Sequence, residues 1–219
     1  MTRGVFDPHF DDLPPAMPVF PLPSVLLLPR GKLPLNVFEP RYLAMTRATL
    51  SAKDRMIGII QPTEKEELGK VPKLYPTGCA GRITSFSETD DGRYLVSLAG
   101  VCRFDVTEEL PIADGFRRVS VSYDRFRRDL DVEESPIERD RLLAALLPYF
   151  KSHNIAVEWD TVKTTPDERL VTTLSMVCPF GPSEKQALLE SMNLGERAKL
   201  LTALLEMAIL ERSGDGARH

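Results

Sequence analysis

The sequence predicts an α+β chain, with a curled antiparallel sheet in its first part and a small helical bundle in its second, on three observations. Between Met17 and Tyr123, short apolar and alternating runs are punctuated by proline and by an Asp-Gly pair, as expected of strands joined by turns. Beyond Ser135 the apolar residues recur at helical spacing, which makes stripes rather than alternation. Between the two lies Arg127 to Glu134 (RRDLDVEE), charged and with little to bury. The subdomains are therefore placed at 17–126 and 135–212. At 219 residues and 42% hydrophobic content, the chain is long enough to bury a core without disulfides or metals to staple it.

The elements follow in order. The leader, Met1 to Met17, carries Asp7, Asp11 and Asp12 and no apolar run of the kind a secretory signal needs. Met17 to Phe38 places short apolar runs between Pro18, Pro21, Pro23, Pro29 and Pro34. Proline has no N–H to give a central strand or a helix interior, so these are short strands with bends or edges. Pro40 then suits a first helical position, and Tyr42, Leu43, Met45, Ala48 and Thr49 follow at roughly helical spacing before a break near Lys53.

Met56, Ile57, Ile59 and Ile60 read as a buried strand, Gln61 to Thr77 as a long surface loop, and Cys79 to Ser87 as a further strand with Ile83 and Phe86 as apolar members. Thr89 to Arg93 contains Asp91-Gly92, the signal of a tight hairpin with a primed turn. Tyr94 to Leu98, Val101 to Val106 and Val119 to Tyr123 complete the strands.

Three segments of the second part fit the S/T-x-x-E/Q capping box: Ser135 to Glu138, Thr165 to Glu168 and Ser183 to Gln186. In such a box the hydroxyl and the carboxyl or amide satisfy orphan N–H groups at a helix start. Leu142, Leu143, Leu146 and Leu147 form the stripe of the first helix, which Pro148 should kink or end near Leu147. Leu170, Val171 and Leu174 follow the second box, and Ala187 and Leu188 the third. Asn193 to Glu196 starts a last helix with the stripe Leu200, Leu201, Leu204, Leu205 and Ala208. Gly214 to His219 should fray.

Composition narrows the function. With 28 Lys plus Arg against 32 Asp plus Glu, no broad positive field exists, and nucleic acid is an unlikely partner. Six arginines between positions 103 and 128 (Arg103, Arg117, Arg118, Arg125, Arg127, Arg128) stand against five carboxylates (Asp105, Glu108, Glu109, Asp114, Asp124), which reads as a solvated face of mixed sign. The apolar runs, such as Val25 to Leu28 and Met207 to Leu210, are too short to span a bilayer, so no membrane is expected and the protein is placed in the cytoplasm.

Chemical equipment is sparse. Cys79, Cys102 and Cys178 are odd in number and widely spaced, which suits small buried hydrophobes better than a disulfide framework. Gly78-Cys79-Ala80-Gly81 reads as a β-turn around a packed cysteine rather than a reactive thiol. His9, His153 and His219 do not pair at metal-ligand spacing, so no metal is expected; near His153, Trp159 and Asp160 read as loop packing. Gly31-Lys32 and Gly69-Lys70 are followed by Leu33 and Val71 rather than the Ser or Thr of a P-loop, and no G-x-S-x-G occurs. The expectation is a binding module with no cofactor, and not an enzyme.

Phe20-Pro21-Leu22, followed by Leu33-Pro34-Leu35-Asn36-Val37-Phe38-Glu39-Pro40-Arg41-Tyr42, resembles the signature of the Lon protease N-terminal domain family, FPL and then LPL-x-(I/V)-FEPRY. Gly78 to Ile83 (GCAGRI), Gly100 to Phe104 (GVCRF) and Glu184 to Glu190 (EKQALLE) are similar to later landmarks of that family in the same order. The resemblance covers about 17 to 210. It implies a PUA-like β-barrel followed by a helical part, in a domain that within Lon proteases helps to recognise damaged or unfolded proteins and supports oligomerisation. The ATPase and Ser-Lys peptidase of a Lon enzyme have no counterpart in these residues. The function expected is thus a non-catalytic binding or adaptor module for exposed apolar segments of other proteins, self-associating or not; the alternative is an RNA-binding PUA-like protein.

Within the signature, Phe38, Glu39, Pro40, Arg41 and Tyr42 are expected to be architectural rather than ligand-binding. Phe38 and Tyr42 at i, i+4 can pack on one side, and Glu39 sits where a carboxylate favours a helix N-terminus. Ligand contacts are expected instead on the barrel rim and in the groove between barrel and bundle.

Overall fold

A computed structural model describes residues 8–63, 71–131, 135–153 and 155–215. Six strands, β1 (Ala16–Pro21), β2 (Lys32–Val37), β3 (Met56–Ile60), β4 (Thr77–Glu88), β5 (Tyr94–Ala113) and β6 (Phe116–Ser122), precede most of the helices. The helices are α1 (Pro40–Ser51), between β2 and β3, and then α2 (Arg139–Ser152), α3 (Trp159–Thr164), α4 (Asp167–Val177), α5 (Pro182–Glu190) and α6 (Leu194–Asp215). The α+β class is therefore observed. No described helix is long and apolar enough to cross a membrane.

The sheet is mixed rather than wholly antiparallel. Its order is β2-β5-β4-β3-β1-β6, and β6 returns to pair with β5, so the pairings of β1, β3, β4, β5 and β6 run in a closed ring. Every pairing in it is antiparallel except β1 with β3, where Val19 faces Gly58 and Pro21 faces Ile60 in parallel. Parallel neighbours need a long crossover, and the stretch holding β2 and α1 supplies it.

β3 is buried along its whole length because both of its faces are covered, which is why it reads as an unbroken apolar run. Met56 and Ile60 join Met17, Val19, Ala80, Cys102, Phe104, Val119 and Phe126 in one cluster. Ile57 and Ile59 face the other way, into a larger cluster shared with Leu142, Leu146 and Tyr149 of α2 and Leu201 and Leu205 of α6. A Cβ on Gly58 or Gly78 would fall 2.9 or 2.5 Å from the Phe104 ring; both glycines leave room for that aromatic. At Gly100 the demand is sharper, since a Cβ there would lie 2.0 Å from the Leu28 carbonyl oxygen.

The two strands expected at 94–98 and 101–106 are one. β5 runs for 20 residues, pairing with β2 and β4 early and with β6 late. Register shifts near Ala80, Ile83, Val106 and Leu110 accompany its curl. The turn chemistry also differs from expectation. At 89–93 only Gly92 has positive φ, at 78°, with Gly92 N–H donating to Thr89 O at 2.9 Å. A type I′ turn needs two such residues, and that pattern occurs at Asp114 (φ 54°) and Gly115 (φ 80°) between β5 and β6.

α1 begins with Pro40 in its first turn, as expected. None of the three hydroxyl residues is the N-cap of its helix. α2 starts at Arg139, with Glu138 before it and no side-chain cap. What sets that start is tertiary: Arg139 pairs with Asp167 and donates to the carbonyls of Lys163 (2.7 Å) and Thr165 (2.9 Å) at the end of α3. The Thr165 hydroxyl is committed backwards, to Thr161 O at 2.7 Å, and α4 begins at Asp167. α5 begins two residues earlier than its box, after Gly181, with Glu184 accepting from the Gly181 N–H at 2.7 Å. Only the asparagine start performs as read: Asn193 Oδ1 accepts from Glu196 N–H at 2.8 Å and α6 follows.

α2 does not end at Pro148; it continues to Ser152, carried by the buried rings of Tyr149 and Phe150, while Pro148 lies on the solvent side. Leu147 and Ala187 are exposed rather than part of their stripes, and Leu189 is buried. Of the leader, the described part packs: Leu13 is buried and Tyr123 donates its hydroxyl to Pro14 O at 3.0 Å. Gly214 and Asp215 still belong to α6, and 216–219 lie outside the described residues.

Candidate functional site

The start of α1 forms one wall of a groove. Glu39 precedes the helix, Pro40 opens it, and Tyr42 N–H donates to Glu39 O at 2.9 Å. Tyr42 turns inward onto Phe20, ring centroids 3.9 Å apart, so the pairing of Phe38 with Tyr42 is replaced by a contact across the fold. Phe38 is 60% exposed, with the Arg93 guanidinium 5.8 Å from its ring. Arg41 lies over the Tyr42 ring at 4.6 Å and donates through Nε to Glu39 at 3.0 Å. The carboxylate expected to favour the helix start is thus engaged by its neighbour two residues on.

The opposite wall comes from the β5–β6 turn. The primed turn at Asp114-Gly115 brings the chain close to α1, where a Cβ on Gly115 would sit 3.6 Å from Arg41 Cβ. Phe116 goes into the core, and Arg117 donates bidentately to Glu109 (2.6 and 2.8 Å) and to Pro72 O at 2.8 Å. That last bond ties residue 72 to the sheet. Pro21, Arg41, Tyr42, Val71, Pro72, Ile112, Gly115, Phe116 and Arg117 line the resulting groove. Val71 and Ile112, both in this lining, are 64% and 57% exposed.

The space between sheet and helices, the other place where ligand contacts are expected, is filled by polar locks. Arg103 is read from sequence as part of a solvated face, yet its side chain is only 3% exposed. It pairs with Asp129 at 2.6 and 2.8 Å and donates to Leu189 O and Ser191 O at the end of α5. Asp129, in the charged stretch expected to bury little, is thereby central. Arg197 adds a bond to Leu188 O at 2.9 Å.

A second lock lies where the surface loop was expected to begin. Gln61, buried, donates to Pro182 O at 3.0 Å and to Gln186 Oε1 at 3.2 Å; Gln186 in turn donates to Thr77 O at 3.1 Å. Residues 64–70 of that loop lie outside the described residues. A polar cleft edged by Arg30, Arg128, Asp129 and Glu168 also lies there, with Arg30 and Glu168 already paired at 2.6 Å.

Reactive chemistry finds little purchase. Cys79, Cys102 and Cys178 are buried and free, as read from sequence. Cys79 lies within β4 rather than in a turn. Burial pushes the Cys79 and Cys102 thiols far up and the Cys178 thiol from 9.0 to about 11, so the nucleophilic thiolate is suppressed at each. Lys185 is buried, with its pKa lowered by desolvation; it donates to Ser175 O and Met176 O at the end of α4. His153 stacks on Tyr149 at 4.1 Å and shares its Nδ1 with Ser152. Among the described residues no three His, Cys, Asp or Glu side chains converge as metal ligands would.

Sequence reasoning placed Arg41 and Tyr42 in a meaningful segment but did not bring them together with Val71, Ile112 and Arg117. The available signal was Asp114-Gly115, a second Asp-Gly pair whose turn folds Ile112 and Arg117 back towards α1.

Comparison with known proteins gives a consistent picture. A family model described as the ATP-dependent protease La (LON) substrate-binding domain matches residues 16–207. Lon protease 2 of Myxococcus xanthus is 26% identical over 198 residues, which are 89% of this chain and 24% of that protein. A Lon protease of Elusimicrobium minutum is 27% identical over 214 residues, 93% of this chain and 25% of its own length. The chain therefore spans about a quarter of the curated relatives it matches. Among solved structures, a Lon N-terminal domain protein from Xanthomonas campestris aligns with TM-score 0.59 and 24% identity, covering 86% of this chain and 97% of that one. The N-terminal domain of the Mycobacterium avium complex Lon protease aligns with TM-score 0.62 and 17% identity, covering 87% and 98%. These two likenesses establish the fold: a sheet joined to helices, as in Lon N-terminal domains.

Proposed function

Because this chain belongs to the ATP-dependent protease La (LON) substrate-binding domain family, we propose that it acts as a non-catalytic recognition or adaptor module for exposed apolar segments of other proteins. The observation that carries the reading is the groove between α1 and the β5–β6 turn, where Val71 and Ile112 stand exposed beside two buried aromatic rings. Segments of that kind are exposed by unfolded chains and buried by folded ones. The absence of activated thiols among the described cysteines fits a binding role.

Several finer readings go with it. The closed ring of pairings corresponds to the PUA-like barrel of the resemblance, and 17–126 and 135–212 are taken as two subdomains on a common core. Phe38, Glu39, Pro40, Arg41 and Tyr42 are assigned to architecture first, since Tyr42 anchors α1 on Phe20 and Arg41 and Glu39 hold its start. We place the protein in the cytoplasm, where free thiols persist, and leave it open to self-association. RNA binding has less support, because Arg103, Arg117 and Arg125 are each paired with a carboxylate.

The test is a titration with the unfolded and native forms of one model protein, followed by fluorescence anisotropy. Binding of the unfolded form alone is expected; equal, negligible binding of both would overturn the proposal.

A further inference from the structure

We propose that a second copy of this chain pairs along residues 84–88 of β4, antiparallel across a two-fold axis at Phe86, so that two sheets join edge to edge. The sheet leaves that stretch open. β3 accompanies β4 only from Met56, opposite Arg82, to Ile59, opposite Cys79, with one more bond from Ile83 N–H to Arg55 O at 3.0 Å. Arg55, with a positive φ of 54°, is where the chain enters the sheet, and among the described residues no strand extends β3 alongside 84–88. Residues 85–88 therefore pair with 94–97 of β5 on one side only, and all of 84–88 is exposed. Such an edge presents backbone N–H and C=O groups to any strand that can reach them.

The other open edge is guarded and this one is not. β2 ends the strand order and carries Lys32 and Pro34, a charge and a missing N–H that discourage a further strand. Residues 84–88 (TSFSE) hold neither proline nor lysine. Their middle residue, Phe86, is 42% exposed and lies edge-on to Tyr94 with ring centroids 4.9 Å apart. Across a two-fold axis at that position each Phe86 would face its own copy, and an aromatic cross-strand pair of this kind stabilises an antiparallel join.

Charge selects a second copy, and selects its direction. At one end of the open stretch stand Lys53 and Arg55 with Asp54 between them; at the other stand Glu88, Asp90, Asp91 and Arg93. Asp91 and Arg93 pair with each other at 2.8 Å, so the second end is acidic through Glu88 and Asp90. Lys53, Arg55, Glu88 and Asp90 are all exposed. A stretch that is basic at one end and acidic at the other is complementary to itself when antiparallel, because each acidic hairpin end then meets the other copy's basic end. Parallel pairing would set like charges together. The join is short, well below a standard interface, so the dimer is a weak one. None of its residues lines the groove beside α1, and the recognition role stands or falls independently of it.

The experiment uses the full chain. Sedimentation velocity should show a shift from monomer towards dimer between about 10 µM and about 500 µM, the range expected of a small interface. In oxidised glutathione F86C should form a covalent dimer, because residue 86 faces its own copy at a separation a disulfide can span; T84C, off the axis, should not. The native thiols are buried and add little background. E88K/D90K and K53E/R55E, with circular dichroism like that of the parent, should each lose self-association several-fold and regain it when mixed, since only the mixture sets opposite charges together. A chain that stays monomeric throughout, an F86C protein that cross-links no better than T84C, or a mixture that pairs no better than its components overturns the proposal. Protection of the F86C thiol by an unfolded protein, with no dimer formed, would assign the edge to an extended peptide and overturns it as well.

Discussion

Replacing Arg103 with alanine isolates the lock that joins sheet and helices. The guanidinium is 3% exposed and reaches both Asp129 oxygens, at 2.6 and 2.8 Å, together with Leu189 O at 2.8 Å and Ser191 O at 2.5 Å. It also covers the Phe126 ring at 4.4 Å. Truncation would leave the Asp129 carboxylate, itself 8% exposed, without a counter-charge, and would strip the α5 carbonyls of their donor. Breaking a buried pair by removing one partner costs about 3–5 kcal/mol. For a chain of this size each kcal/mol lowers the midpoint by about 2–4 °C, so a fall of roughly 6–20 °C is expected. Thermal unfolding followed by far-ultraviolet circular dichroism and by the single tryptophan, Trp159, measures it. Trp159 sits on α3 against the main core, so the two signals report whether sheet and helices come apart together. The double change R103M/D129L removes both charges and should recover much of the loss, because an apolar replacement of the whole pair is often neutral. An R103A cost below about 1 kcal/mol, within the range of an exposed pair, would refute the buried-lock argument.

Three further outcomes are expected. The thiols should resist Ellman's reagent in the native protein at pH 8 and react once urea unfolds it; stability should also decline with alkali. The folded Cys178 holds its proton up to about 11 against an ordinary 9.0, so its contribution is complete below 9.0 and is lost as pH rises towards 11, and C178A should flatten that part of the profile. G100A should cost about 1–3 kcal/mol or more, because its Cβ would meet the Leu28 carbonyl at 2.0 Å; Gly92→Asn, with nothing within 4 Å of the added carbon, should cost far less, and equal effects in urea titrations would contradict the close approach. P148A should raise stability by about 1–2 kcal/mol, since a proline inside a helix costs about 3 kcal/mol and part of that is offset by its stiffer unfolded chain. A loss instead would mean that the Pro148 ring contributes packing that its exposed position does not suggest.

Local pattern alone was enough for the α+β class, the proline at the start of α1, the doubly buried β3, the burial of the three cysteines, and the asparagine start of α6. Each depends on residues a few positions apart, or on apolar character that has no alternative place to go. The family signature was legible for the same reason, as a contiguous run from Leu33 to Tyr42. What local pattern could not decide was which of several competing partners a polar group would take. Ser135, Thr165 and Ser183 match the capping pattern in sequence but are not the N-caps of the folded helices: Arg139 fixed the start of α2 through bonds to the end of α3, and the Thr165 hydroxyl turned back to Thr161. Arg103 read as a surface cation until Asp129 and the α5 carbonyls, 26 to 88 residues away in sequence, enclosed it. The groove is of the same kind. Arg41 and Tyr42 were visible in the sequence, but their meeting with Ile112 and Arg117 depends on a primed turn at Asp114-Gly115 and on the ring closure of β5 with β6. Short-range sterics and burial are encoded residue by residue, whereas a site made by long-range closure exists only once the chain has folded.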